Sequence, residues 1–243
     1  MKNALNAIII GIAIVLFALI AGAAFKYKYR TADKITVTGL AEKDFVSDLI
    51  VWTGNYSRTN MDLKTAYAAL KEDEHNIRAY LRTKGLADAE LVFSSVDINK
   101  DFSNKSDENG RIVSTVFNGY VLKQTVKVES KNIEKVEGIS REITELIEQG
   151  IEINSSAPAY FYSRLSELKI DLLAKASADA KSRAESIAKN AGSSLGSLKN
   201  ANMGVFQITG KNSNEDYSYG GAFNTSSKNK TASITLKTEY AVD

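Results

Sequence analysis

The sequence predicts an α+β fold: a ferredoxin-like split β-α-β sheet core, a third Ala-rich helix and two further C-terminal strands, all after an N-terminal transmembrane helix. Three observations predict it. Residues 7–25 carry neither charge nor hydrogen-bonding side chain. Downstream segments alternate between period-2 and helical apolar spacing. From residue 47 these segments run strand, helix, strand, strand, helix, strand, the order of a split β-α-β unit with a four-stranded sheet and both helices on one face.

The first element is AIIIGIAIVLFALIAGAAF, residues 7–25. Its 19 residues suffice to cross a hydrocarbon core of roughly 30 Å as a helix. Lys2 precedes it, and Lys26, Lys28 and Arg30 follow. Two readings stay open, an uncleaved anchor and a signal cleaved near Ala21-Gly22-Ala23. The length favours the anchor. The expected division is residues 1–30 as anchor or signal segment and 31–243 as the body, exported to the periplasm or cell envelope.

In the body, KITVTGL (34–40) reads as a short strand ended by Gly39, and 47–58 as a longer one. Asn60 reads as the N-cap of a helix striped by Leu63, Ala66, Tyr67, Leu70, Ile77, Tyr80 and Leu81 and closed by Gly85. Residues 90–102 form a strand, and the polar turn 103–111 joins it to the long strand 112–129 as a hairpin. Asn132 starts the second helix, with Ile133, Val136, Ile139, Ile143, Leu146 and Ile147 in line before Gly150. Pro158 makes 151–162 an edge strand or a bulge. Helix 164–191 carries Leu165, Leu168, Leu172, Ala176, Ala180, Ala184, Ile187 and Ala191 as its stripe. Ala176, Ala180, Ala184 and Ala188 form a ridge of small side chains within it. Strands 197–208 and 231–242 finish the chain, around a Gly/Ser/Asn-rich segment, 209–230, expected to be mobile.

Charge and composition exclude several function classes. The chain carries 31 Lys/Arg against 29 Asp/Glu, but residues 1–30 hold four of the basic residues and none of the acidic. The body is left with 27 against 29, a net −2, so nucleic-acid binding has no electrostatic support. With no cysteine, disulfides, thiol catalysis and Cys-type zinc sites are excluded.

Candidate chemistry is sparse. Gly192-Ser193-Ser194-Leu195-Gly196 spells a nucleophile-elbow string, but it follows a helix and precedes a strand, the reverse of the order an elbow needs. The only histidine, His75, lies 119 residues earlier, so Ser194 reads as helix-capping punctuation. Glu72 and His75 stand at i, i+3 on what reads as a solvated acidic helix face. Asp44, Asp48 and Asp97 lie near strand ends without an arrangement that singles them out. No catalytic, cofactor-binding or metal residue is assigned. The exposed aromatics Tyr217, Tyr219 and Phe223 of YSYGGAF read as a partner-binding tip or a loop that tucks one ring back.

Four stretches together resemble the SIMPL-domain family of bacterial cell-envelope proteins, which includes the periplasmic immunogenic proteins. KITVTGLAEKDF (34–45) is similar to its opening segment, with Ala41 in place of the usual second glycine. FNGYVLKQTVKVES (117–130) resembles its Gly-Tyr strand, and residues 131–151 its second helix and the step after it. The clearest likeness is 172–204, through Ala176, Asp179, Ala180, Ala184, Ala188, Gly192 and Gly196. The resemblance implies an exported or membrane-tethered protein without catalytic residues, loosely associated with envelope stress, some members self-assembling. The expected function is therefore non-enzymatic: a protein tethered through 7–25 that forms homo-oligomers or other protein contacts, with no cofactor. A small-ligand module in a cleft between sheet and helices is the alternative reading, and an unrecognised enzyme the third.

Overall fold

A computed structural model describes the backbone of residues 2–30 and 33–242, and the side chains of 10–26 and 33–242. Helix α1, Lys2–Arg30, is 29 residues long. Its described large apolar side chains, among them Ile10, Ile14, Phe17, Leu19, Ile20 and Phe25, are exposed. Among the described residues no helix is long and apolar enough to cross a membrane. The side chains described in α1 run only from Ile10 to Lys26, so residues 7–9 of the expected span lie outside them.

The body contains two antiparallel sheets, where the sequence reading singled out one sheet core. The first holds β1 (Lys34–Val46), β10 (Asn229–Val242) and β8 (Leu195–Met203) in the order β1-β10-β8, with β9 (Gln207–Gly210) also on β10. The chain's opening and closing strands pair along their length, Lys34 opposite Ala241 and Val46 opposite Asn229. The C-terminal region thus supplies three strands rather than two.

The second sheet holds β2 (Leu49–Asn60), β3 (Leu91–Phe93), β4 (Asp97–Ser106), β5 (Ile112–Ser130), β6 (Ile153–Ser155) and β7 (Ala159–Phe161). Its central order is β3-β5-β2-β6; β4 continues the pairing on β5, and β7 that on β2. Helices α2 (Leu63–Thr83) and α3 (Ile133–Glu142) cover one face. Ile50, Trp52 and Tyr56 of β2 and Leu122, Val126 and Val128 of β5 meet Leu70, Ile77, Leu81, Val136 and Ile139 there, in one buried cluster. Burial of each such side chain stabilises the fold by about 1.5–3 kcal/mol.

Several expected boundaries move for physical reasons. Asp62, not Asn60, caps α2: its carboxylate accepts the Thr65 amide at 2.8 Å, and Asn60 accepts the Asp62 amide one turn earlier. The strand expected over 90–102 breaks at 94–96, where Ser94 turns its hydroxyl onto the Ser95 carbonyl. Asn132 does cap α3, accepting the Lys135 amide. The helix then tightens into a 3-10 run, Ile143–Gln149, closed by Gly150 in the left-handed region. Pro158 separates β6 from β7, both on the sheet edge.

Gly39 does not end β1. A Cβ there would fall 2.2 Å from the Ala176 carbonyl and 2.6 Å from the Ala180 amide. Its hydrogen lets α4 (Leu165–Asn190) lie directly on the strand. Ala176, Ala180, Ala184 and Ala188 are all buried, so the small-residue ridge faces its own sheet, while Ile187 of the expected stripe is exposed.

Candidate interaction surface

The most distinctive exposed feature is a two-stranded arm. β5 pairs with β2 as far as Tyr120, opposite Asn60. Beyond that point residues 112–119 pair only with β4, a ribbon about 26 Å long at 3.3 Å per residue. Every residue of β4 is exposed. Asp107 shapes the tip by accepting the amides of Asn109 and Arg111, and Gly110 sits at φ 76°.

The arm's chemistry is unusual for a solvated ribbon. Ile98, Phe102, Ile112, Val113 and Val116 are exposed large apolar side chains. Phe102 meets Phe117 with ring centroids 5.5 Å apart, and Phe117 meets Tyr120 edge-on at 5.2 Å. These rings form a spine along one side of the ribbon. Gly119, at φ 133°, marks the root; a Cβ there would fall 2.8 Å from the Asn60 carbonyl. An isolated two-stranded hairpin is marginal in water, so such a ribbon gains from cover.

The segment expected to be mobile, 209–230, is laced together. Buried Gln207 donates to the Ser218 carbonyl and accepts the amides of Ser218 and Ala222. Glu215 accepts the Gly210 amide and an Asn224 side-chain N–H. The Lys230 ammonium, almost fully buried, donates to Asn224. Burial lowers its pKa against the pull of Glu215. This frame holds Tyr217, Tyr219 and Phe223 exposed on the surface, Tyr219 completely so.

The remaining candidates are not brought together. Ser194 is exposed just after α4, where Gly192 adopts φ 76° and the Ser193 amide returns to the Ala188 carbonyl. His75 and Glu72 are exposed on α2, and among the described residues no three His, Asp or Glu converge as metal ligands. Asp44 holds Lys211 at 2.7 Å and accepts the Thr231 hydroxyl; these contacts lower its pKa. Burial would raise the Asp48 pKa, but hydrogen bonds from the Ser163 amide and hydroxyl bring it below the usual value. Asp97 accepts the Asn99 side chain at the root of the arm.

The acidic run of α2 departs from the solvated face expected of it. Asp73 is buried and takes a two-pronged contact from Arg58, at 2.5 and 2.7 Å. Arg58 also donates to the Gly150 carbonyl, bridging strand, helix and loop. Beside it Gln124 accepts from the Tyr56 hydroxyl and donates to Glu74, which also holds Lys71 and Arg78. Burial, with Glu74 and Asp73 nearby, pushes the Tyr56 phenol up. Sequence reasoning missed this network, although Asp73 falls three residues after Leu70 and four before Ile77, on the buried stripe.

Asp179 was visible only as part of a spacing pattern. Its carboxylate accepts the backbone amide of Leu40 on β1 at 2.8 Å and holds Arg183. It therefore fastens the Ala-ridged helix to the strand beneath it.

The SIMPL family profile, described as a protein of unknown function (DUF541), matches residues 35–240. No curated protein matches the chain.

Proposed function

This chain belongs to the SIMPL family, and from that premise we propose a non-enzymatic, membrane-tethered protein of the cell envelope that works through self-association, made by the β4–β5 arm. The sheet of β2 to β7 with α2 and α3 is read as a ferredoxin-like split β-α-β unit that serves as the platform for this arm. The observation that carries the proposal is the arm itself: a ribbon that carries Phe102, Ile112, Val113, Val116 and Phe117 among polar residues, with both strand edges open beyond Asn60. A second copy of the same ribbon supplies matching edges and rings, and would bury the Phe102 and Val116 side chains left exposed here.

Two features support the tether. The run 7–25 has no charge, and basic residues flank it on both sides. The 19 residues of that run, as a helix, are about 28 Å long, and a stretch with apolar side chains on every face belongs in an apolar medium. Lys26, Lys28 and Arg30 after the run pull toward a cytoplasmic C-terminal side, but a single apolar span at the start of a chain more often leads to export. We therefore place the body in the periplasm, where a role in envelope stress is compatible with a scaffold that gathers copies of itself.

The test is hydrodynamic. Light scattering of the full chain in detergent, across micromolar concentrations, should give a multimer for the wild type. A Phe102→Ser, Val116→Ser variant should give a monomer with an unchanged melting temperature, because neither side chain is in the core. A wild type that stays monomeric, or a variant of the same size as the wild type, overturns the proposal.

A further inference from the structure

We propose that the elbow between the two sheets binds a phosphate group. Ser47 lies between β1 and β2, and its amide donates to the Lys228 carbonyl at 2.9 Å. Ser47 is only 3 % exposed, yet its hydroxyl has no hydrogen-bond partner among the described residues. Buried hydroxyls are otherwise almost always satisfied. Ser47 lines an open groove of 670 Å³ together with Lys131, Asn132, Glu134 and Lys228.

The other groups in this groove point to an anion. Helix α3 starts there and turns the positive end of its dipole toward the groove; the amides of Asn132, Ile133 and Lys135 are already committed, to Ser130 Oγ, the Lys131 carbonyl and Asn132 Oδ1. Lys131 forms no ion pair among the described residues, and the Lys228 ammonium reaches Glu137 only at 3.8 Å. Two carboxylates also line the groove. Asp48 is committed, each oxygen holding a Ser163 donor at 2.7 Å. Glu134 is exposed and opposes the anion. A tetrahedral oxyanion offers enough acceptors for the hydroxyl and both ammonium groups at once.

The position gives the site a consequence. Lys228 belongs to the segment leading into β10, and Lys131 to the start of α3, so a bound phosphate would join the two sheets at their hinge. Free phosphate and a phospholipid headgroup share this chemistry. The 13 residues of β1 separate the elbow from Lys34 by about 43 Å of extended chain, which favours the free anion.

Thermal unfolding of the full chain in detergent provides the test, with sodium phosphate compared against sodium chloride of equal ionic strength. Phosphate should raise the melting temperature of the wild type in a saturable way. Excluded oxyanions also stabilise proteins generally, so the deciding comparison is with variants. Ser47→Ala removes an unpartnered hydroxyl and should fold normally. Together with Lys131→Ala it should abolish the saturable rise, and Lys131→Ala alone should weaken binding about tenfold. Glu134→Gln should tighten it. A rise seen only with phosphatidylglycerol micelles, and lost in the same variants, assigns the phosphate group to a lipid. An equal rise in the wild type and the double variant, or no rise with either source, overturns the proposal.

Discussion

Arg58 stands at the far end of β2 with its guanidinium on a carboxylate that α2 carries inward. Removing one partner leaves Asp73 buried and uncompensated. Because the Arg58 side chain is 35 % exposed, solvent screens part of the loss. Arg58→Ala should cost about 2–4 kcal/mol by denaturant unfolding, whereas Arg58→Met with Asp73→Leu should recover most of it. A single variant that unfolds like the wild type would show that the pair stabilises nothing. Glu74 gives a pH test. Burial would raise its pKa, but Lys71, Gln124 and Arg78 together hold it below the ordinary 4.5. Its stabilisation is complete above that ordinary value and is lost as pH falls through the lowered one. The stability difference between wild type and Glu74→Gln should therefore shrink on acidification from pH 7 to pH 3. A difference that is flat with pH contradicts this. His75→Ala, two residues from the buried Asp73, should change stability by less than about 0.5 kcal/mol. The spacing of Asp73 from Leu70 and Ile77 matches the buried stripe, yet the acidic run around it read as a solvated face. Its partner was not legible: Arg58 reaches it from another element, and nothing in a helical period indicates which strand end will face it.

Among the elements, α4 is the one whose packing the sequence described most fully. A four-residue alanine repeat requires a flat, close neighbour, and the neighbour is Gly39 on β1. The glycine itself read as a strand terminator, because a missing side chain and a chain break leave the same mark in one dimension. Ala184→Leu should lower the melting temperature by an amount corresponding to about 1–3 kcal/mol, and Gly39→Ala should act in the same direction. Neither should change assembly size, since the ridge lies on its own sheet. Should Ala184→Leu alter the oligomer and leave the monomer's melting unchanged, this packing is wrong. Lys181 and Glu185 form an exposed pair at 3.6 Å, and alanine at either should change stability by less than about 0.5 kcal/mol. The arm was half legible. Its alternation and polar turn marked a hairpin, but the point where β2 stops covering it depends on strand register, which side-chain periodicity leaves open.

Across the molecule, the buried clusters among the described residues draw on 37–240 and on no described side chain of α1. Residues 31–243 should accordingly fold alone, with native circular dichroism and a cooperative melt; absence of a transition would tie folding to the apolar segment. The two sheets differ sharply in how far along the chain their strands lie. The sheet of β2 to β7 is complete by Phe161, whereas β1 finds its partner only in Asn229–Val242. During vectorial synthesis the strand of the body that is made first is thus the last to be paired. Until the final segment emerges, 13 residues of β1 hold an unpaired edge. The polypeptide therefore carries its own completion check: truncation within the 14 residues of β10 strands the first element of the body as well as the last.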